Sequence, residues 1–301
     1  VKVIHFIVYR TISNSKLNTS ETNGAFRKNY IKGLFSFGGW ITVSTIVSPV
    51  MTALDRLIVA SKEGMQNVAY YSTASEITQR VGMLPSALVS VLFPVFSRNQ
   101  NFNEIQNSKL YKASFNLLLL ASGIFAVLFI CFGRDFLAIW IDENFATESY
   151  VVLQVVTVGA LFNFLARIPF SFIQGVGRPD ITAKFHVLEL PIFLTLLVVL
   201  TDSFGIVGAA YASAIRMILD FVLLHMYSIR QFKVDFNLLP LLLGAILPVI
   251  LSLTIAYSEL GFAPKSLCVA VLLTVLTASF WFYVFDEELR LRIKKITRGH
   301  N

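Results

Sequence analysis

Five stretches of the chain run for about the width of a bilayer without an Asp, Glu, Lys or Arg: Gly33 to Leu54, Ala113 to Gly133, Ser149 to Ala166, Phe236 to Ser258 and Ser266 to Phe285. A hydrocarbon core about 30 Å thick is crossed by roughly 20 apolar residues of helix, so each stretch predicts a transmembrane span. Three more, roughly 66–97, 181–202 and 205–229, keep the length and apolar character while carrying internal charges. The pattern predicts an all-α polytopic membrane helix bundle of about eight helices. Short breaks at Lys62-Glu63-Gly64, Gly175-Val-Gly-Arg-Pro179 and Asp202-Ser-Phe-Gly205 predict antiparallel hairpins between neighbours. The long polar segment, Arg10 to Lys32, reads as a linker or interfacial segment. Ahead of it, Val1 to Tyr9 is apolar but too short to span. It reads as the end of a helix whose beginning is missing, since no small-residue cleavage site follows it as in a signal peptide.

Composition agrees: 55% of residues are hydrophobic and 14% charged, with a mean hydropathy of +0.69, outside the range of soluble domains. The net charge of +7 is explained by where the bases fall. Once the hairpins are threaded, one side collects Lys2, Arg10, Lys16, Arg27, Lys28, Lys32, Arg98, Lys109, Lys112, Arg178, Lys184, Arg230, Lys233, Arg290, Arg292, Lys294, Lys295 and Arg298. The other side has only Lys62, Arg134 and Lys265. This asymmetry predicts both termini in the cytoplasm and the acidic loop Asp135 to Glu148 outside, with no nucleic-acid partner needed to explain the charge. Trp140, Tyr150 and Tyr257 then fall near the outer interface and Tyr111 near the inner one, as anchoring aromatics.

Four bases remain inside the spans, Arg56, Arg80, Arg167 and Arg216, together with four acids, Asp55, Glu76, Glu189 and Asp220. A charge facing lipid at the helix centre costs about 3 kcal/mol, so these residues must face protein or water. Glu76 and Arg80 are spaced i, i+4, as are Arg216 and Asp220, which puts each pair on one helix face. Two readings stand: the pairs neutralise one another inside the bundle, or they line a hydrated cavity. The hydroxyl- and amide-rich company of Ser44, Thr45, Ser48, Thr52, Ser72, Thr73, Ser75, Thr78, Gln79, Asn163 and Gln174 favours the cavity. Arg suits phosphate, because its planar fork donates two hydrogen bonds at once. Pro49, Pro85, Pro94, Pro169 and Pro191 fall inside predicted spans and bend them. The small residues of Gly205-Ile-Val-Gly-Ala-Ala-Tyr-Ala-Ser-Ala214 give one helix a thin packing face.

Other chemistry finds little support. His5, His186, His225 and His300 lack metal-ligand spacing. Cys131 and Cys268 sit in different apolar helices away from any base. No phosphate-binding glycine loop is present, and no cofactor is expected. The basic tail Arg290 to Arg298, after Asp286-Glu287-Glu288, reads as a stop signal at an anionic membrane surface.

Asp55-Arg56 closing one span, Tyr70-Tyr71-Ser-Thr-Ala-Ser-Glu76 opening the next and Leu92-Phe-Pro-Val-Phe-Ser-Arg98 ending it occur in a characteristic order. Gln174-Gly-Val-Gly-Arg-Pro179 before the helix of Glu189, and Phe204-Gly-Ile-Val-Gly-Ala-Ala210, continue that order. Over residues 30–230 the chain resembles the polysaccharide-export branch, which includes Wzx-type O-antigen flippases, of the multidrug/oligosaccharidyl-lipid/polysaccharide flippase superfamily. The resemblance implies a non-enzymatic transporter, with two six-helix lobes about a central cavity, that moves undecaprenyl-pyrophosphate-linked sugars across the bacterial inner membrane. Residues 33–230 would be the second lobe, 231–301 two extra helices and a basic cytoplasmic tail, and 1–32 the tail of a truncated helix plus a cytoplasmic linker. The first lobe is absent from this sequence. Arg56, Arg80, Arg167 and Arg216 would line the cavity for the pyrophosphate, and Asp55, Glu76, Glu189 and Asp220 would hold those arginines or bind a coupling proton or sodium ion. Implied partners are the polyprenyl-pyrophosphate-linked oligosaccharide, membrane lipids and polysaccharide polymerase or chain-length machinery. Two other classes stay open: a cation-coupled small-molecule antiporter of the same superfamily, and a membrane polymerase or ligase acting on the same lipid-linked sugars.

Overall fold

A computed structural model of the chain describes residues 28–98, 104–234, 239–258 and 261–281, and every element among them is helical. Residues Val1–Gly38 form one unit and Gly39–Asn301 a second. Within the first, the described part is helix from Lys28 onward; the packing and the site described below lie within the second. The linker up to Arg27, the apolar start Val1 to Tyr9, His5, His300 and the basic tail Arg290 to Arg298 lie outside the described residues.

In chain order the helices are α1 (Lys28–Val81), α2 (Met83–Arg98), α3 (Glu104–Trp140), α4 (Glu143–Gly175), α5 (Pro179–Phe232), α6 (Leu239–Ala256, with a π turn at Leu242–Ile246) and α7 (Phe262–Ser279). Six continuous helical stretches are long and apolar enough to cross a membrane. Two of them are long enough to cross it twice. A straight helix the length of α1 would measure about 81 Å at 1.5 Å per residue, far more than a bilayer needs. In a straight helix Asp55 and Tyr71 would stand about 24 Å apart, yet the Tyr71 hydroxyl donates to Asp55 Oδ2 at 2.9 Å. The chain therefore reverses between them, at Gly64, whose φ of 83° is open to glycine and strained for other residues. In α5 the reversal is at Gly205, φ 58°, and it brings His186 within 3.6 Å of Asp220. Each of these helices is thus a hairpin of two legs joined by one glycine. Counted by legs, the spans come to about eight, in keeping with the sequence pattern.

The span expected over 66–97 is broken at Gly82 between α1 and α2. The cause is Pro85, whose ring clashes with the carbonyl four residues back, at Val81, where α1 ends. Helical bonds nevertheless carry across the break, from Gly82 N–H to Thr78 O at 3.0 Å and from Ser86 N–H to Gly82 O at 3.3 Å. At the head of α4, Asp142 caps the helix by accepting from the Phe145 N–H at 2.8 Å. Pro179 opens α5, where a missing N–H has no consequence.

The core divides into two layers along the helix axes. One lies toward the glycine tips: Met51, Val59, Tyr71 and Ala74 of α1, Leu137 of α3, Val152, Leu153 and Val156 of α4, and Phe193, Leu197, Ala209, Ala210 and Ala212 of α5. The other lies toward the opposite face: Phe96 of α2, Tyr111, Phe115 and Leu118 of α3, Leu161 to Ile173 of α4, and Phe221 and Leu224 of α5, with Ala245, Leu276 and Phe280. Tyr111, expected as an interfacial anchor, is fully buried in this second layer instead and shares a hydrogen bond of 2.7 Å with His225 Nδ1. Its aromatic neighbours Phe115 and Phe172 leave no path to the surface. Trp140 and Tyr257 are exposed, as anchors should be. The thin face of α5 serves packing as expected. A Cβ on Gly159 of α4 would come within 2.8 Å of Ala214 Cα, and one on Gly208 would collide with the Leu200 carbonyl of the facing leg.

Candidate functional site

The returning leg of the α1 hairpin carries a charged stripe. At 100° per residue Glu76, Arg80 and Met83 share a face, with Gln79 and Ser86 on its flank. Arg56, from the outgoing leg, reaches across to Glu76 with Nη2 3.3 Å from Oε1. Arg167 of α4 donates from Nη1 to Ser86 Oγ at 2.8 Å. Three guanidinium groups and one carboxylate therefore line about one leg's length. Counted from Gly64 at about 1.5 Å per residue, Arg56, Glu76 and Arg80 lie roughly 12, 18 and 24 Å below the tip, well inside hydrocarbon depth. The Arg56 and Glu76 side chains are nonetheless 38% and 51% exposed, and Arg80 is exposed with no ion pair among the described residues. At about 3 kcal/mol per lipid-facing charge, such a face is stable only against water or another protein surface.

A second polar group is buried. Asp55 Oδ2 accepts from Tyr71 at 2.9 Å and from Ser213 at 3.3 Å, tying α1 to α5. One turn beyond Ser213, the Arg216 guanidinium lies 5.3 Å from the Phe193 ring centre and close enough to act electrostatically on Asp55 and Glu189. Asp220, a further turn on, is 3.6 Å from His186 Nε2, and that imidazole stacks on Phe170. Asp55, Glu189, Arg216 and Asp220 are each 9% exposed or less. Among the described residues neither Glu189 oxygen, nor Asp55 Oδ1, nor Asp220 Oδ1 has a hydrogen-bond partner. Three carboxyls thus share one guanidinium and one imidazole at the seam between the two core layers. Among the described residues no trio of His, Cys, Asp or Glu is placed to hold a metal.

The two ends of the bundle differ in charge. At the glycine tips every base has an acid: Lys62 pairs with Asp202, Arg134 with Glu143, and Lys265 with Asp135 at 3.2 Å. At the other end Arg178 and Lys184 share the single carboxylate of Asp180, at 3.0 and 2.9 Å. That hydrogen-bonded carboxylate raises the Arg178 pKa further above its ordinary value.

Of the eight charged residues singled out in the sequence, the structure gathers Arg56, Glu76, Arg80 and Arg167 on the stripe, and Asp55, Glu189, Arg216 and Asp220 in the interior. The eight do not share one cavity. Asp55 and Arg56, adjacent in sequence, go to different places because successive helical residues diverge by 100°. Glu76 pairs with Arg56 rather than with Arg80, since the hairpin brings a partner from the facing leg. Arg216 has Phe193 and Glu189 for company beside Asp220. Tyr71, Ser213, His186 and Ser86 take part in the site without standing out in the sequence; only the folding of two hairpins onto one another brings them in.

The chain is also similar to known proteins. A family model described as polysaccharide biosynthesis protein matches residues 2–146. A candidate O-antigen transporter of Shigella flexneri is 38% identical over 206 residues, which are 68% of this chain and 49% of that protein. The lipopolysaccharide biosynthesis protein WzxC of Escherichia coli (strain K12) is 25% identical over 199 residues, 64% of this chain and 39% of that protein. The solved structure of the lipid II flippase MurJ, in an inward closed conformation, superposes with a TM-score of 0.61 over 91% of this chain and 59% of its own, at 13% identity. The chain resembles the Wzx-type polysaccharide-export branch of the flippase superfamily. The likeness to MurJ speaks for the fold alone. This chain is a multi-pass membrane protein, and it spans about half the length of the curated relatives it matches. Those relatives and the structural neighbour are named as a transporter, a biosynthesis protein and a flippase.

Proposed function

We propose that this chain forms one side of the path along which an undecaprenyl-pyrophosphate-linked oligosaccharide crosses the bacterial inner membrane, on its way to O-antigen or other surface polysaccharide. The observation that carries this reading is the exposed stripe at membrane depth, where three guanidinium groups meet a single carboxylate. A pyrophosphate passing along it would exchange hydration for charge-assisted hydrogen bonds from Arg56, Arg80 and Arg167, while its lipid tail stays in the bilayer. Arg216 would act from behind the stripe, through its field. Residues 33–230 would be the second of two lobes and 231–301 the added pair of helices with a basic cytoplasmic tail; an opposing lobe would cover the stripe and rock against it to alternate access. The basic end of the bundle would face the cytoplasm with both termini of this chain, and the glycine tips the periplasm. Polysaccharide polymerase and chain-length machinery would take up the delivered unit.

The test is complementation in a host lacking its own flippase. The chain is expressed alone and joined to the N-terminal half of the Shigella flexneri relative, with surface polysaccharide as the readout. Export by the joined form, lost on Arg80→Ala or Arg56→Ala at equal expression, supports the reading; export that survives both substitutions refutes the cationic path. A second reading, cation-coupled antiport, is favoured by one observation: the excess of buried carboxyls around Arg216, which a proton or counter-cation would balance. It predicts export that tracks an imposed sodium or proton gradient.

A further inference from the structure

We infer that Glu76 is an internal substitute for the phosphate of the arriving ligand: it occupies Arg56 until that phosphate displaces it, and the displacement unlocks the two legs of the α1 hairpin. The inference rests on reading the stripe as a phosphate path. Four observations lead to it. The Arg56–Glu76 contact is a single N–O approach of 3.3 Å, whereas a phosphate can engage both arms of the guanidinium fork. The Glu76 side chain is 51% exposed, so an incoming anion can reach the pair without opening the core. Arg80 lies one turn from Glu76 on the same face, with no ion pair among the described residues, so a displaced Glu76 finds a second cation. Finally, Glu76 and Arg56 sit on opposite legs of the hairpin, so exchange of partners changes what holds those legs together. Asp55, the neighbouring acid, cannot play this part, because it is buried and held by Tyr71 and Ser213.

The experiment is a titration of the whole chain, reconstituted in nanodiscs of zwitterionic lipid, with inorganic pyrophosphate and with farnesyl pyrophosphate. Glu76→Gln should tighten binding about two- to five-fold, the factor that loss of an exposed ion-pair competitor allows. Glu76→Asp should restore the original affinity. In an Arg56→Ala background the Glu76→Gln gain should vanish. Glu76→Ala serves as a second neutral variant and should behave as the glutamine does. Tighter binding that depends on Arg56 supports the inference. Binding by the unaltered chain that is unchanged or weakened in both neutral variants overturns it and leaves the stripe standing as a phosphate path. Failure of the unaltered chain to bind either probe removes the phosphate path, and this inference with it.

Discussion

Replacing Arg80 by alanine removes a guanidinium that has no ion-pair partner among the described residues, so its effect should fall on the ligand. One charge-assisted hydrogen bond contributes about 1.5–3 kcal/mol, which is about ten- to a hundred-fold in transport rate at unchanged stability. Export assays with a thermal-unfolding control separate the two quantities. Tyr71→Phe should behave in the opposite way. It strips one donor from the buried Asp55 carboxylate and should cost about 1–2 kcal/mol, the upper range for hydrogen bonds between membrane helices. That loss would appear as a lower unfolding temperature in detergent, and a full-stability Tyr71→Phe would mean that Asp55 is not held as described. At this scale the sequence was informative about which residues matter and silent about their partners. Intramembrane charge is conspicuous on cost alone, so all eight charged residues could be named from the sequence. Their sorting into an exposed stripe and a buried chain depends on which leg faces which, and helical spacing within one leg could not reveal that.

The hairpin is the element that organises both groups. Gly64 holds φ 83° with ψ 168° and Gly205 φ 58° with ψ −140°, a backbone essentially reserved for glycine, which an alanine at either adopts at a cost of about 1–3 kcal/mol. Gly64→Ala should therefore destabilise without touching a charged residue, and the Arg56–Glu76 register should suffer first. Cysteines at positions 56 and 76 would cross-link more slowly in that background if the turn sets the register. Gly208→Leu should be far worse, because any side chain there meets the backbone of the opposite leg. The spans and their breaks were legible in the sequence, as apolar runs end where Gly and Pro cluster. At Gly82 the apolar pattern continues through the break, and Pro85, read in the sequence as a bend within one span, parts α1 from α2 through its clash with the Val81 carbonyl. Tyr111 misled for a related reason: aromatic residues near a span end serve equally well as anchors or as core.

For the whole molecule the unequal ends make a topological prediction. Single cysteines at Lys62 and Lys233 should label from opposite sides of the membrane, Lys62 from the periplasm of intact cells and Lys233 only after permeabilisation. Labelling in the reverse sense would invert the orientation. The same asymmetry was readable directly from the order of Lys and Arg along the chain, since counting bases by loop needs no tertiary contact.

The two reversing helices also bear on how the chain enters the membrane. In each, an acid on one leg faces a base on the other: Glu76 with Arg56, Glu189 with Arg216. A single leg delivered alone to the bilayer would carry Arg56 or Glu189 into hydrocarbon without the partner that the facing leg supplies, whereas a hairpin delivered as a unit brings that partner with it. Biogenesis should therefore proceed two legs at a time, with the insertion machinery retaining the outgoing leg until the returning one emerges from the ribosome. A chain arrested just after Gly64 should stay exchangeable with the aqueous channel, and one arrested after Val81 should have partitioned into lipid.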